Sequence, residues 1–148
     1  MMKMSSAFLL LVLLFVSGLA TGQGQETRYE KFRRQHIGGK ITADDCDAEM
    51  SRKRIYAENN YCKDKNSFIL GSPNSIKAIC QGQGTQYENT LLTKSNALFK
   101  TVVCELKNEG ARKPHCQYKG QLLKNRAVVV GCEQQLPVHF ADDILIFG

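Results

Sequence analysis

Three of the 148 residues are histidines, whose side chains gain or lose a proton near neutral pH, and two of them stand far apart. His36 follows a basic run in the stretch RRQHIGGK, and His139 lies in LPVHF close to the C-terminus. Two imidazoles in one cleft, one neutral and one protonated, can serve as general base and general acid for the same reaction. The spacing alone leaves a second interpretation open, in which the two histidines are unrelated.

A second stretch also contains residue types suited to chemistry. In CKDKNSF, Lys63 follows Cys62 and precedes an Asn-Ser pair and an aromatic side chain. The third histidine, His115, lies beside Cys116 in a turn-rich segment and belongs to no motif. We therefore assign His115 no catalytic role.

The element that carries His36 is predicted to be a short amphipathic helix over residues 26–36. Tyr29, Phe32 and His36 recur at the i, i+3, i+7 spacing of one helix face, and a pair of glycines follows and ends the helix. His36 is therefore expected near the helix C-terminus, at the edge of the buried face. The helix dipole at that end favours the protonated imidazole.

Two more helices are predicted, over residues 44–56 and 75–81. Runs of β-branched residues predict strands at three places: 99–106, 127–132 and 138–147. His139 would lie on the last strand, with its apolar neighbours facing the other way. Helices first and strands later predict an α+β fold, in which short N-terminal helices pack on an antiparallel sheet.

The first 22 residues are interpreted as a secretory signal peptide. Lys3 precedes the apolar run FLLLVLLFV, and small residues follow it. The run is shorter than a typical membrane-spanning helix, so a membrane anchor is the less favoured alternative. Cleavage before Gln23 would leave residues 23–148 as a single secreted domain.

The cysteines and the charge set further limits on the class of protein. All six cysteines follow the signal segment, and an even number in a secreted chain predicts three disulfides. No two cysteines have the close spacing of a zinc motif, which excludes that kind of site. The formal net charge of +6 favours anionic partners such as nucleic acid, cell-surface glycans or acidic membranes. Charge alone does not separate these partners from a protein that is merely basic.

Three motifs in order, RQH, CKDKNSF and PVHF, resemble those of the pancreatic-type ribonuclease superfamily, the ribonuclease A family. The family motif CKxxNTF has threonine where this chain has Ser67. The resemblance covers residues 26–147, and six cysteines are typical of the angiogenin-like branch with three disulfides. It implies that the sheet is bent and that the cysteines pair in this order: Cys46–Cys104, Cys62–Cys116 and Cys80–Cys132.

The resemblance also implies a reaction, the cleavage of single-stranded RNA without a metal ion or other cofactor. His36 would take the proton of the ribose 2′-hydroxyl, and His139 would protonate the departing 5′-oxygen. Lys63 would stabilise the charge that grows on the phosphate. Gln35 and the backbone N–H of Phe140 would bind the phosphate, and the first product would be a 2′,3′-cyclic phosphate.

The same resemblance places a pyrimidine base against the Asn66-Ser67 part of the motif. The hydroxyl and backbone N–H of Ser67 would read the edge of this base, because serine keeps both groups that the usual threonine provides. Glu133 would contact the next base. Phe68 is expected in the core rather than at the base.

The chain departs from many relatives directly after PVHF, where an aspartate usually orients the acidic histidine. Ala141 stands at that place, followed by Asp142 and Asp143. Either Asp142 replaces the usual aspartate, or the orientation of His139 and the activity are weaker. The tail DDILIFG either folds back over the pyrimidine site or closes the sheet as an edge strand.

The resemblance favours a secreted, monomeric endoribonuclease with angiogenin-like signalling, which would need cell-surface glycans or an endothelial receptor. The basic run Arg52, Lys53 and Arg54 lies where angiogenins carry a segment that directs them to the nucleus or nucleolus. A solvated helix face explains the same run. The alternative function is a cationic host-defence protein that acts on bacterial membranes independently of catalysis.

Overall fold

The computed structural model describes residues 24–147, and the predicted signal peptide lies outside the described residues. Helix α1 spans Arg28–His36. Thr27 begins it with a capping box, because its hydroxyl accepts a hydrogen bond from the Glu30 N–H and the Glu30 carboxylate accepts one from the Thr27 N–H. The helix ends at Ile37, whose extended backbone forms an isolated bridge to the sheet.

Helix α2, Cys46–Arg52, follows a 3₁₀ turn at Ala43–Asp45 and ends earlier than the sequence predicts. The chain leaves the helix at Arg54, which adopts a left-handed φ of 55°. This turn directs Ile55 into the core, where it is fully buried. The observed helix therefore ends before residue 56, where the sequence pattern placed its end, and the turn at Arg54 allows Ile55 to be buried.

Helix α3, Pro73–Lys77, continues as a 3₁₀ turn over Ala78–Cys80, so the third predicted helix is close to the observed one. It begins at Ser72, whose hydroxyl accepts a hydrogen bond from the Ser75 N–H. None of the helices within residues 24–147 is long and apolar enough to span a membrane.

Six strands form one antiparallel sheet in the order β1-β4-β5-β3-β2, with β6 paired to β5. Their bounds are β1 Lys65–Leu70, β2 Gly84–Gln86, β3 Thr93–Ser95, β4 Phe99–Leu106, β5 Tyr118–Glu133 and β6 Leu136–Leu145. The predicted α+β fold is confirmed. The sequence pattern missed β1, and the strand predicted over 127–132 is only the second half of β5.

Strand β5 organises the sheet because its two halves have different neighbours. Its first half pairs with β4 as far as Arg126, and its second half pairs with β3 and β6. The core divides in the same way. One cluster contains Met50 and Phe68, and the other contains Phe32 of α1 and Val128 of β5.

Three disulfides cross-link the fold: Cys46–Cys104 and Cys80–Cys132 join helical segments to strands, and Cys62–Cys116 joins two loops. This is the pairing that the family resemblance implies. Each bridge stabilises the fold by about 2–4 kcal/mol, mainly by restricting the unfolded chain. The Cys62–Cys116 bridge also fixes the backbone directly before Lys63.

Strand β6 contains a β-bulge at Ala141. Phe140 lies opposite Val130 and Asp142 lies opposite Val129, so Ala141 is an extra residue between two neighbouring pairs. Successive side chains of a strand point to opposite faces of the sheet.

The bulge therefore decides which faces the following residues occupy. Phe140 and Asp143 share the face that points toward α1, and His139 and Asp142 share the opposite face. In an unbulged strand of the same sequence, Asp142 would share the face of Phe140 instead.

Candidate active site

A cleft of about 640 Å³ opens where α1, β1 and β6 meet. It brings together side chains from three distant parts of the sequence, and these include the following predicted site residues: Gln35, His36, Lys63, Asn66, Ser67, His139 and Phe140. Further basic side chains, Arg28 and Lys31 among them, also line the cleft. The cleft can therefore hold an anionic ligand between two histidines.

His36 is buried at the C-terminal end of α1, with only 9% of its surface exposed. Its Nδ1 lies 2.9 Å from the carbonyl oxygen of Ser67, and its ring stacks on that of Phe140 with centroids 5.2 Å apart. A carbonyl only accepts, so Nδ1 must carry the proton that it donates. Nε2 is then the ring nitrogen that is free to take up a proton.

Burial lowers the pKa of His36 to about 4, because desolvation penalises the charged imidazolium more than the hydrogen bond to Ser67 favours it. The positive charges of Lys63 and His139 lower this pKa further. Whatever the helix dipole contributes in favour of the protonated form, desolvation is the largest cause and the net shift of the His36 pKa is downward. His36 is neutral at neutral pH, as a general base must be.

Lys63 is positioned by Asn66, whose Oδ1 accepts a hydrogen bond from the Lys63 Nζ at 2.9 Å. The Asn66 Nδ2 in turn donates to the backbone carbonyl of Gln35 at 2.8 Å, which links the lysine to α1. Burial is the main cause that lowers the pKa of Lys63, and the nearby charge of Lys31 adds to it. Within residues 24–147, no carboxylate pairs with Lys63, so its charge is available to an anion.

His139 has a different setting, because it is exposed on β6, which pairs with β5 alone among the strands of residues 24–147. The bulge at Ala141 places Asp142 on the same face of the strand. The Asp142 carboxylate accepts a hydrogen bond from the Asp143 N–H at 2.8 Å, which holds it against the strand. In the described part of the chain, the His139 ring itself makes no hydrogen bond to a protein group.

Ser67 lies on β1 with its side chain on the cleft, and it is buried apart from 5% of its surface. Its cross-strand neighbour on β4 is Val103, an apolar residue that offers the Ser67 hydroxyl no hydrogen bond. Phe68 is fully buried in the core, as the sequence predicts. The Ser67 hydroxyl is thus free to meet a ligand.

Glu133 lies at the end of β5 and is not among the residues that line the cleft. Its carboxylate forms an ion pair with Arg28, and both side chains are more than half exposed. Contact between Glu133 and a base would therefore require this ion pair to open.

The basic run after α2 is not uniformly exposed. The Lys53 Nζ donates to the backbone carbonyl of Ile37 at 3.3 Å and lies 5.1 Å from the centroid of the Phe68 ring. Burial lowers the pKa of Lys53. Only Arg52 and Arg54 extend into solvent, so the run does not present three free cations.

The C-terminal tail continues as an edge strand. Residues up to Leu145 pair with β5, and the Ile146 N–H donates to the Asn125 carbonyl at 3.0 Å. Of the two alternatives for this tail, the described residues take the second. Asp143 lies within this strand, where its carboxylate pairs with Arg126 at 3.1 Å.

His115 is exposed in a loop outside the cleft, where its backbone carbonyl accepts a hydrogen bond from Asn108. Within residues 24–147, no three His, Cys, Asp or Glu side chains converge as metal ligands would.

Sequence reasoning did not single out several charged residues that line the cleft, among them Arg28, Lys31, Lys65 and Asp143. A signal for the first two exists, since Arg28, Lys31 and Gln35 recur at the i, i+3, i+7 spacing of one helix face. Asp143 had no such signal, because its face depends on the bulge at Ala141.

Comparison with known families matches residues 27–141 to the pancreatic ribonuclease family. The chain is 38% identical over 141 residues to Ribonuclease-like 3 of Danio rerio, an alignment that covers 91% of this chain and 93% of the relative. It is also 38% identical over 138 residues to Angiogenin of Mus musculus, with coverage of 88% and 90%.

Solved structures agree with the sequence relatives. Zebrafish RNase5 is 40% identical to this chain with a TM-score of 0.72, over 78% of this chain and 93% of the other. Green turtle egg white ribonuclease is 33% identical with a TM-score of 0.71, over 80% of this chain and all of the other.

Proposed function

Because the chain belongs to the pancreatic ribonuclease family, in its angiogenin-like branch, and is therefore an endoribonuclease that acts on RNA, we propose that His36, Lys63 and His139 catalyse the cleavage. The observation that carries this assignment is the convergence of the three side chains on one cleft. The buried, neutral state of His36 supports its role as the base.

The proposed reaction is a transphosphorylation. The Nε2 of His36 removes the proton of the ribose 2′-hydroxyl, and the resulting oxygen attacks the adjacent phosphorus. The bond between phosphorus and the 5′-oxygen breaks, and protonated His139 gives its proton to that oxygen. The products are a strand that ends in a 2′,3′-cyclic phosphate and a strand that begins with a 5′-hydroxyl. DNA lacks the nucleophile and is not cut.

Lys63 stabilises the charge that develops on the phosphate oxygens. Preorganised cations act best when their position is fixed before the reaction, and Asn66 holds the Lys63 ammonium in this way. The side chain of Gln35 and the backbone N–H of Phe140 also bind the phosphate. This assignment is supported by their place in the same cleft.

Cleavage follows pyrimidine nucleotides, and Ser67 reads the base. A hydroxyl can donate to one pyrimidine edge and accept from the other, so one serine serves both cytosine and uracil. The free Ser67 hydroxyl on the cleft wall supports this role. Glu133 contacts the next base only when its ion pair with Arg28 opens.

Asp142 is the carboxylate that orients the acidic histidine, His139. Its support is the bulge at Ala141, which gives Asp142 the same strand face as His139. An orienting carboxylate holds an imidazole in one tautomer and position. Asp142 acts through His139 and is a positioning residue.

The first test is cleavage of a single-stranded oligoribonucleotide in the presence of EDTA, with the full chain expressed in a secreting host. Mass spectrometry should find a cyclic phosphate at the new 3′ end. His139→Ala should abolish cleavage, and His115→Ala should leave it intact as a matched control outside the cleft. Equal cleavage by the His139→Ala protein would contradict the assignment.

Angiogenin-like signalling is a second candidate function, favoured by the several relatives named Angiogenin. We place the protein outside the cell, because three disulfides are typical of oxidising compartments and residues 1–22 fit a signal peptide. Nuclear entry would depend on Arg52 and Arg54 more than on the half-buried Lys53. An Arg52→Ala, Arg54→Ala protein that still reaches nuclei of endothelial cells would contradict this dependence.

The host-defence alternative requires membrane damage without catalysis. Killing of bacteria by the His139→Ala protein would support this alternative. Killing that disappears with RNA cleavage would tie any defence role to the active site.

A further inference from the structure

Asp143 occupies a wall of the cleft that the catalytic chemistry does not use. The bulge at Ala141 gives it the same strand face as Phe140, whose ring stacks on His36. Ser67 also lines this cleft, from β1. Asp143 and Ser67 thus belong to one pocket, and a base bound at Ser67 has a carboxylate in its surroundings.

The Asp143 carboxylate is fixed in position. Its Oδ1 accepts a hydrogen bond from the Arg126 Nη1 at 3.1 Å, and only 12% of its side chain is exposed. Within residues 24–147, no hydrogen bond reaches its Oδ2. The carboxylate therefore offers one oriented acceptor and no donor to a ligand in the cleft.

Ser67 cannot distinguish the two pyrimidines by its hydroxyl. Cytosine presents an acceptor at ring position 3 and uracil presents a donor, and a hydroxyl satisfies either one by rotation. Val103, across the strand from Ser67, supplies no partner that would fix the rotor in one direction. Discrimination is thus left to ring position 4, where cytosine has an amino group and uracil has a carbonyl oxygen.

We propose that Asp143 makes this enzyme prefer cytosine over uracil on the 5′ side of the cleaved bond. The proposal rests on the pyrimidine site at Ser67. The cytosine amino group donates to the Asp143 Oδ2, whereas the uracil oxygen would face a carboxylate with no proton between them. A carboxylate that accepts from the cytosine amino group is an established mode of base recognition.

The test compares kcat/KM for the dinucleotides CpA, UpA and ApA. The wild-type protein should cleave CpA about tenfold faster than UpA, and both faster than ApA. In Asp143→Asn the CpA to UpA ratio should fall below one, because Arg126 holds the amide oxygen and the NH₂ group then offers a donor to the uracil oxygen. The isosteric change keeps the volume of the pocket.

Two control variants separate base reading from general damage. Arg126→Gln keeps the carboxylate but removes the guanidinium that fixes it, so it should weaken the preference for CpA without reversing it. Asp142→Asn, on the other face of β6, should lower both rates by the same factor and leave their ratio unchanged. Thermal unfolding of each protein reports whether it is folded.

The possible results distinguish this proposal from the one on which it rests. Equal wild-type rates for CpA and UpA, both above ApA, would overturn the role of Asp143 and keep the pyrimidine site. A ratio that survives Asp143→Asn would do the same. Cleavage of ApA as fast as of CpA and UpA would overturn the pyrimidine site at Ser67 and this proposal together.

Discussion

The two histidines of the cleft are held in opposite ways. His36 is buried beside Phe32 of the core, with one ring nitrogen bonded to Ser67 and one ring face covered by Phe140. His139 is exposed on the edge strand β6, within which the bulge at Ala141 sets the faces of the side chains. The base is thus positioned by packing that the whole fold maintains, and the acid depends on the local geometry of one strand.

This difference indicates which parts of the site tolerate substitution. A general base must be neutral before the reaction, and burial produces that state without a further partner. A general acid must be protonated and must release its proton, which an exposed histidine near neutral pH can do. Changes in the core should therefore affect the base and the stability together, whereas changes on β6 should affect the acid alone.

The largest effect is expected from loss of either histidine. His36→Ala and His139→Ala should each lower kcat/KM by about 10²–10⁴-fold, because each removes one proton transfer. Only His36→Ala should also lower the free energy of unfolding, by about 1–3 kcal/mol, since it alone opens a space in the core. Unfolding in guanidinium at neutral pH measures this free energy. Equal destabilisation by both variants would contradict the contrast between a buried base and an exposed acid.

Loss of the cation should have the next largest effect. Lys63→Ala should lower kcat/KM by about 10²–10³-fold with little change in stability, because a preorganised charge acts mainly in the transition state. Lys65, which lines the same cleft from the start of β1, offers a matched control. An equal loss in Lys65→Ala would show that only the general positive potential matters.

The pH dependence of stability sharpens the contrast further. The pKa of His36 is about 4 in the folded protein and about 6.5 in the unfolded chain, so the unfolded state binds a proton more readily. The stabilisation is complete above pH 6.5 and is lost as the pH falls toward 4, by about 3 kcal/mol at most. Unfolding from pH 4 to 7 should show this slope in the wild type and in His139→Gln, but a flatter one in His36→Gln.

The smallest effect concerns the support of the acid. Asp142→Ala should lower kcat by about tenfold, because without an orienting carboxylate the His139 ring is less often directed at the 5′-oxygen. KM should change little. Deletion of Ala141 is the informative control, since a regular strand would keep Asp142 opposite Val129. A deletion variant as weak as Asp142→Ala would argue against Asp142 as the positioning residue.

Much of the site was predictable because the chemistry requires residue types that stand out in a sequence. The motifs RQH, CKDKNSF and PVHF contain most of the residues that the structure gathers in one cleft. The amphipathic spacing of α1 also placed His36 at the edge of the core. These features are local in the sequence, so short motifs and helical spacing are sufficient to detect them.

The remainder depends on contacts between distant residues. The downward shift of the His36 pKa could not be predicted, because the sequence shows the helix end but not the Phe140 ring that covers the imidazole. Strand β1 was missed since KNSFIL is short and begins with polar residues. The faces of Asp142 and Asp143 follow from the bulge at Ala141. No residue type in the sequence marks this bulge, because alanine is compatible with many backbone conformations.

The bulge at Ala141 also changes how distance along the sequence relates to position on the sheet. Adding one residue to a strand normally reverses every later side chain, which would exchange core and solvent positions along the rest of β6. Here the bulge accommodates the extra residue locally, so the strand beyond it keeps its pairing with β5. Counted along the sequence, Asp142 is three residues from His139, yet it lies on the face that position 141 would occupy in a regular strand.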